Sequence, residues 1–225
     1  MMYPSYAGVA ARERATLTGQ VFGLLGFSMV FTAAGALLAP RIGPAAFLIS
    51  LVGSLGSLIA LWFLKEKTPI NLGLFYLFSV CEGLLLGLVV ETYLARGMGV
   101  VVLNAAAVTA ALVLGLGAYA WTTKRDLTGM SGFLAIALFG VLAVSLVNAL
   151  LLPLLGIHVP QLSLIISAAV AVLFSLFLMV DVQRVRAASG THGDAIVLAI
   201  AVYLDILNLF LSILQILGFL SRREE

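Results

Sequence analysis

Residues 195–220 read AIVLAIAVYLDILNLFLSILQILGFL, an apolar run that carries a single charge, Asp205. At about 100° per residue, Asp205, Asn208, Ser212 and Gln215 fall within an arc of about 80°, a polar stripe along an otherwise apolar helix. Such a stripe cannot face lipid. An ionised carboxylate at membrane depth costs at least ~2.5 to 3.5 kcal/mol, so an Asp in this setting faces a bundle interior or a wet cavity and has a partner.

Composition sets the class. The 225 residues are 63% hydrophobic and only 10% charged, with a mean hydropathy of +1.19, which predicts an all-α polytopic membrane protein made of one helical domain over residues 1–225. Apolar stretches long enough to cross about 30 Å of hydrocarbon recur at 17–39, 45–64, 70–90, 98–121, 132–152, 162–186 and 195–220. They predict a seven-helix transmembrane bundle, with the last helix at its centre. The first stretch follows Arg12, Glu13 and Arg14 and exceeds a signal-peptide core in length, so it is read as a span. Turn residues punctuate the rest: Gly43 with Pro44, Thr68 with Pro69, Gly97 with Gly99, and Pro153 and Pro160 around Gly156 and His158.

Loop charge orients the bundle. Arg12, Arg14, Lys65, Lys67, Lys124, Arg125, Arg184 and Arg186 share one side, against Arg41 and Arg96 opposite, so the N-terminus is expected in the cytoplasm. Seven full spans put the tail Ser221 to Glu225, with its two arginines and two glutamates, on the outer side; a re-entrant last helix is the alternative. The net charge of +2 is spread over loops rather than gathered in a patch, which argues against a nucleic-acid partner. Cys81, the one cysteine, lies inside an apolar run and offers neither a disulfide nor a thiolate metal site.

The partner for Asp205 is sought on the sixth span, because the short connection Ala187 to Gly193 makes the last two spans antiparallel neighbours. Asp181 is the candidate. It lies ~10 Å from the end of its helix and Asp205 ~16 Å below Asp194, a difference of ~6 Å that tilt can close. Phe174, Phe177 and Leu178 lie on the face beneath it. Two carboxylates in such surroundings cannot easily both be ionised; a close pair holds one shared proton and titrates as a unit. Losing that proton either drives the two helices apart or recruits a cation. Glu82, near mid-membrane in the third span, is a further candidate for the same pathway. Asn104, Thr109, Ser145 and Asn148 read as interhelical hydrogen-bonding groups, and Gly83 with Gly87, like Gly19 with Gly23, as close-packing faces.

Three segments carry a family likeness. Val202-Tyr-Leu-Asp-Ile-Leu-Asn-Leu-Phe210, continuing to Gly218, resembles the last-helix signature of the Bax inhibitor-1 family; Leu178-Met-Val-Asp-Val-Gln-Arg184 resembles the end of its sixth helix, and Cys81-Glu-Gly-Leu-Leu-Leu-Gly87 its third-helix Glu-Gly motif. The resemblance covers the whole membrane domain. It implies a calcium-permeable, pH-sensitive leak gated by a di-aspartyl pair, here Asp181 and Asp205, with calcium as the permeant ion held weakly and transiently and no tightly bound cofactor. It also implies roles in suppressing cell death or in modulating a membrane-bound protease. The resemblance also implies a latch, in the closed state, from an arginine at the end of the second helix to the sixth-helix Asp, here Asp181; Trp62-Phe-Leu-Lys-Glu-Lys67 has no arginine and offers Lys65, a point charge rather than a planar fork, which implies a gate held less tightly shut.

Enzyme readings fare poorly. Gly129-Met-Ser-Gly132 matches a short rhomboid-protease motif, yet His158 and His192 both read as loop residues and neither offers a base to Ser131. The absence of lysine after Lys124 excludes a retinal Schiff base in the last helix. Two classes remain: an ion-conducting leak that uses Asp181, Asp205, Glu82, Asn208, Ser212 and Gln215, and a non-conducting regulator that binds a membrane protease or a cell-death protein.

Overall fold

The computed structural model describes residues 6–157 and 159–222, with side chains from residue 16 onward and Leu152 excepted. Arg12, Glu13 and Arg14 as side chains, His158, and the tail residues 223–225 lie outside the described residues. Among the described residues seven long helices follow one another: α1 (Tyr6–Ile42), α2 (Ala45–Leu64), α3 (Ile70–Leu94), α4 (Gly99–Thr122), α5 (Ser131–Leu146), α6 (Pro160–Ala187) and α7 (His192–Ser221). A 3-10 turn, Thr128–Met130, leads into α5, and a wider π turn, Val147–Leu151, follows it. Among the described residues, seven helical segments are long and apolar enough to cross a membrane. The last runs unbroken for 30 residues, about 45 Å at 1.5 Å per residue, enough for a full crossing rather than a re-entrant loop. It is also the most buried of the seven, as expected for a central helix.

The exposed surface is the apolar one. Trp62, Phe63 and Leu37 are 83%, 77% and 76% exposed, whereas α2 turns Ala46, Ser50, Ser54, Ser57 and Leu61 inward. Lipid removes the hydrophobic drive between helices, so on α2 most of the inward positions go to small side chains that permit close packing, and most of the large apolar ones face out. Most inward hydroxyls close onto their own helix: Ser57 donates to Gly53 O at 2.7 Å, Ser79 to Phe75 O at 3.0 Å, Thr109 to Ala105 O at 2.7 Å and Ser175 to Ala171 O at 2.8 Å.

The helices form two compact units, one of residues up to Gly97 with Arg184–Tyr203, the other of Met98–Gln183 with residues from Leu204 on. α6 and α7 each contribute to both. In the first, α1 and α2 both pack on α3. The crossing of α1 and α3 is backbone on backbone: a methyl on Gly83 would strike the Thr32 carbonyl and come within 2.9 Å of Thr32 Cα, and one on Gly87 would come within 2.7 Å of Ala39 Cβ. Gly19 and Gly23 make no close approach, so of the two small-residue faces in the sequence only Gly83 and Gly87 mark tight packing. Gly43, at φ +68°, ends α1 in the left-handed region and lets the chain reverse at once into α2, its N–H donating to Ala39 O at 2.9 Å. In the second unit Leu134, Leu173 and Val180 form a buried cluster with Met130, Leu138 and Phe177 against it.

Gly83→Leu is expected to lower stability by about 1 to 3 kcal/mol, because two backbones must separate, whereas Gly19→Ala stays within about 0.5 kcal/mol. Thermal unfolding of the purified protein in detergent, followed by helical circular dichroism, reads both.

Candidate functional site

The C-terminal part of α6 is enclosed on every side. Val180, Asp181, Val182 and Gln183 are consecutive and all buried, and four successive residues point around the full circumference of a helix. Asp181 is 4% exposed and engaged in polar interactions. Gln183 faces elsewhere: its Oε1 accepts from Leu127 N–H and its Nε2 donates to Arg125 O, each at 2.8 Å, so one amide clamps the connection between α4 and α5. At the same connection Asp126 accepts from the Thr128 hydroxyl and backbone N–H, which holds its carboxyl below the usual carboxylate range. Leu178, 1% exposed, lies one turn before Asp181, and the Phe174 and Phe177 rings pack at 5.9 Å.

On α7 the polar stripe is graded. Asp205 is 3% exposed and engaged in polar interactions, Ser212 is buried, Asn208 half-buried and Gln215 exposed. Asn208 donates to Leu204 O at 2.8 Å and Ser212 to Asn208 O at 2.6 Å. Gln215 reaches α6 instead, its amide 2.7 Å from Ser167 Oγ. Its Oε1 accepts from the Ser167 hydroxyl, which also lies 2.9 Å from Ser163 O. Asp181, Asp205 and this stripe all belong to the same compact unit.

Glu82 belongs to the other unit. It is half-buried on α3, with the Ser54 hydroxyl of α2 as hydrogen-bond partner. In that unit Tyr203, fully buried, lies 2.7 Å from Thr32 Oγ1. Thr32 donates its one proton to Ser28 O at 2.8 Å, so the Tyr203 hydroxyl is the donor. The Phe78 ring meets Tyr203 edge-on at 5.7 Å.

Lys65, expected as a latch to Asp181 on α6, is bound elsewhere and ties α2 to the start of α7. Its Nζ lies 3.2 Å from Asp194 Oδ1 and 3.7 Å from Glu66 Oε1. Thr191 and Asp194 cap α7 reciprocally: Thr191 N–H donates to Asp194 Oδ2 at 3.0 Å and Asp194 N–H to Thr191 Oγ1 at 3.3 Å. Thr191 also donates to Glu66 at 3.1 Å, and a methyl on Gly193 would come within 2.7 Å of Lys65 O. His192, read from sequence as a loop residue, opens α7, with Nδ1 3.5 Å from Gln20 Oε1. Ser131 donates to Thr128 O at 2.7 Å, and Asn148 bridges to Ser163 Oγ at 3.0 Å. Among the described residues no three His, Cys, Asp or Glu side chains converge as a metal site.

Seven apolar helices with a lipid-type surface and buried carboxylates on the last two define a polytopic α-helical membrane protein. The sequence profile described as inhibitor of apoptosis-promoting Bax1 matches residues 14–222. This chain belongs to the Bax inhibitor-1 family. It is 31% identical over its whole length to the whole of a Vibrio cholerae protein described as an uncharacterized membrane protein. It is 35% identical to uncharacterized proteins of Campylobacter jejuni, over 79% of this chain and 74% of the other, and of Helicobacter pylori, over 77% and 72%.

Two outcomes follow. Gln183→Leu strips partners from the Leu127 N–H and the Arg125 carbonyl and is expected to cost about 1 to 3 kcal/mol in thermal unfolding. A double-mutant cycle of Lys65→Met and Asp194→Asn is expected to give a coupling below about 1 kcal/mol, since both side chains are more than a third exposed, and one that shrinks as salt is raised.

Proposed function

We propose that this protein is a pH-sensitive cation leak of the bacterial plasma membrane, calcium being the permeant ion, closed when Asp181 and Asp205 share a proton. The observation that carries this reading is the burial of both carboxylates, 4% and 3% exposed, in those parts of two membrane-spanning helices that belong to one compact unit. Packing alone would be met by Asn or Ser at lower cost, because an ionisable group at membrane depth carries a desolvation penalty that a neutral amide does not.

The short connection between α6 and α7 makes relative movement of the two helices the natural response to charge. With one proton between them the carboxylates attract; with none they repel, and either the helices part or a cation enters to neutralise them. Flux therefore rises as pH rises through the titration of the pair. Two carboxylates supply fewer oxygens than the six to eight a tight calcium cage uses, so an ion binds weakly and moves on. Asn208, Ser212 and Gln215 offer oxygens along the path and Glu82 a further carboxylate. Lys65, bound to Asp194 and Glu66, restrains the start of α7 as a point-charge latch. The N-terminus lies in the cytoplasm under this reading, as the loop arginines and lysines require.

The test is calcium flux into liposomes carrying the purified protein, scanned from about pH 5 to 8. Wild type is expected to conduct increasingly with pH, and Asp181→Asn or Asp205→Asn to flatten that dependence with helical content unchanged. Flux no greater than in empty liposomes at every pH sinks the leak and leaves a non-conducting regulator of a membrane protease or stress pathway, for which the same variants alter partner co-purification instead.

A further inference from the structure

Between α2 and the start of α7 runs a groove of about 590 Å³, lined by Leu58, Leu61, Trp62, Lys65, Ile196, Val197 and Ile200. The α2 residues are spaced three and four apart, so they form one face over eight residues, about 10 Å of helix. Leu61 and Ile196 make a buried floor, while Trp62 and Val197, 83% and 49% exposed, stand as walls open to the lipid side. The only charge in the lining is Lys65, at the end of α2.

We propose that this groove is a binding site for one anionic phospholipid, its acyl chain lying between Trp62 and Val197 and its phosphate on the Lys65 ammonium. The proposal is independent of ion conduction. A groove with this lining on membrane-spanning helices excludes water, and its size lies in the ordinary range of small-molecule sites. Lipid tails are as apolar as the groove, so the chain itself gives no selectivity; the headgroup decides which lipid stays. Lys65 can make that choice. An ammonium has three donors; one is directed at Asp194, 3.2 Å away, Glu66 lies at ion-pair rather than hydrogen-bond distance, and the side chain remains 41% exposed. Trp62 beside it is the residue type that anchors at the headgroup level, and a basic group between helices at that level is a recurrent anionic-lipid contact.

Native mass spectrometry of the full-length protein in detergent, titrated with equimolar phosphatidylglycerol and phosphatidylethanolamine, tests this. Wild type is expected to hold one lipid with about a fivefold preference for phosphatidylglycerol, the effect of one lysine near a headgroup. Lys65→Gln should bind both lipids equally, Lys65→Arg should keep the preference, and Val197→Trp should exclude both while the protein stays folded. Glycerol phosphate alone should not bind. Equal occupancy by the two lipids in wild type, a preference that survives Lys65→Gln, lipid bound undiminished to Val197→Trp, or tight binding of glycerol phosphate by itself would each overturn the site.

Discussion

Hydrocarbon offers no hydrogen bonds, and the placement of nearly every polar side chain in this protein follows from that. Where a soluble helix turns leucine inward, α2 turns Ala46, Ser50, Ser54 and Ser57 inward and gives its tryptophan and phenylalanine to lipid. Without a hydrophobic drive between helices, cohesion comes from close contact, and contact is closest where side chains are smallest. Gly35, Gly83 and Gly87 bring α1 onto α3 at backbone distance. The same constraint makes each buried carboxyl exceptional. Glu82 is met by Ser54, and Asp181 and Asp205 lie in the most enclosed stretches of α6 and α7 with polar partners of their own.

The spans were legible from hydropathy, since twenty apolar residues in a row have one structural solution in lipid. The stripe on the last helix was equally legible, because Asp205, Asn208, Ser212 and Gln215 are related by helical period alone. What stayed hidden depends on the partner helix. Gly19 and Gly83 sit in identical spacing motifs, yet only Gly83 meets another backbone. Gln183 lies in a motif that resembles the family's, but its hold on Arg125 and Leu127 joins residues nearly sixty positions apart. The Thr191 and Asp194 cap carries a readable signature, Thr followed three residues later by an acid. That Asp194 would also take Lys65 does not, because that ion pair spans 129 positions. The π turn after α5 has no signal in composition at all.

Family membership and the two buried aspartates bear on different questions. Membership fixes the helix count and the order of the motifs. The proposed chemistry rests on where Asp181 and Asp205 lie, while at the end of α2 the ammonium of Lys65 is bound to Asp194 and Glu66. A point charge shared between two exposed acids restrains less directionally than a planar fork, so the start of α7 is held by electrostatics that salt can weaken.

The hydroxyls of Ser57, Ser79, Thr109, Ser175 and Ser212 all close onto the carbonyl one turn back in their own helix. Each is satisfied wherever its helix goes. These hydroxyls therefore offer no resistance when one rod slides or rotates against its neighbour; the bonds that do resist include those that cross helices, Ser54 with Glu82, Ser167 with Gln215 and Tyr203 with Thr32. A membrane protein built so keeps its fold and its freedom of movement in separate sets of atoms.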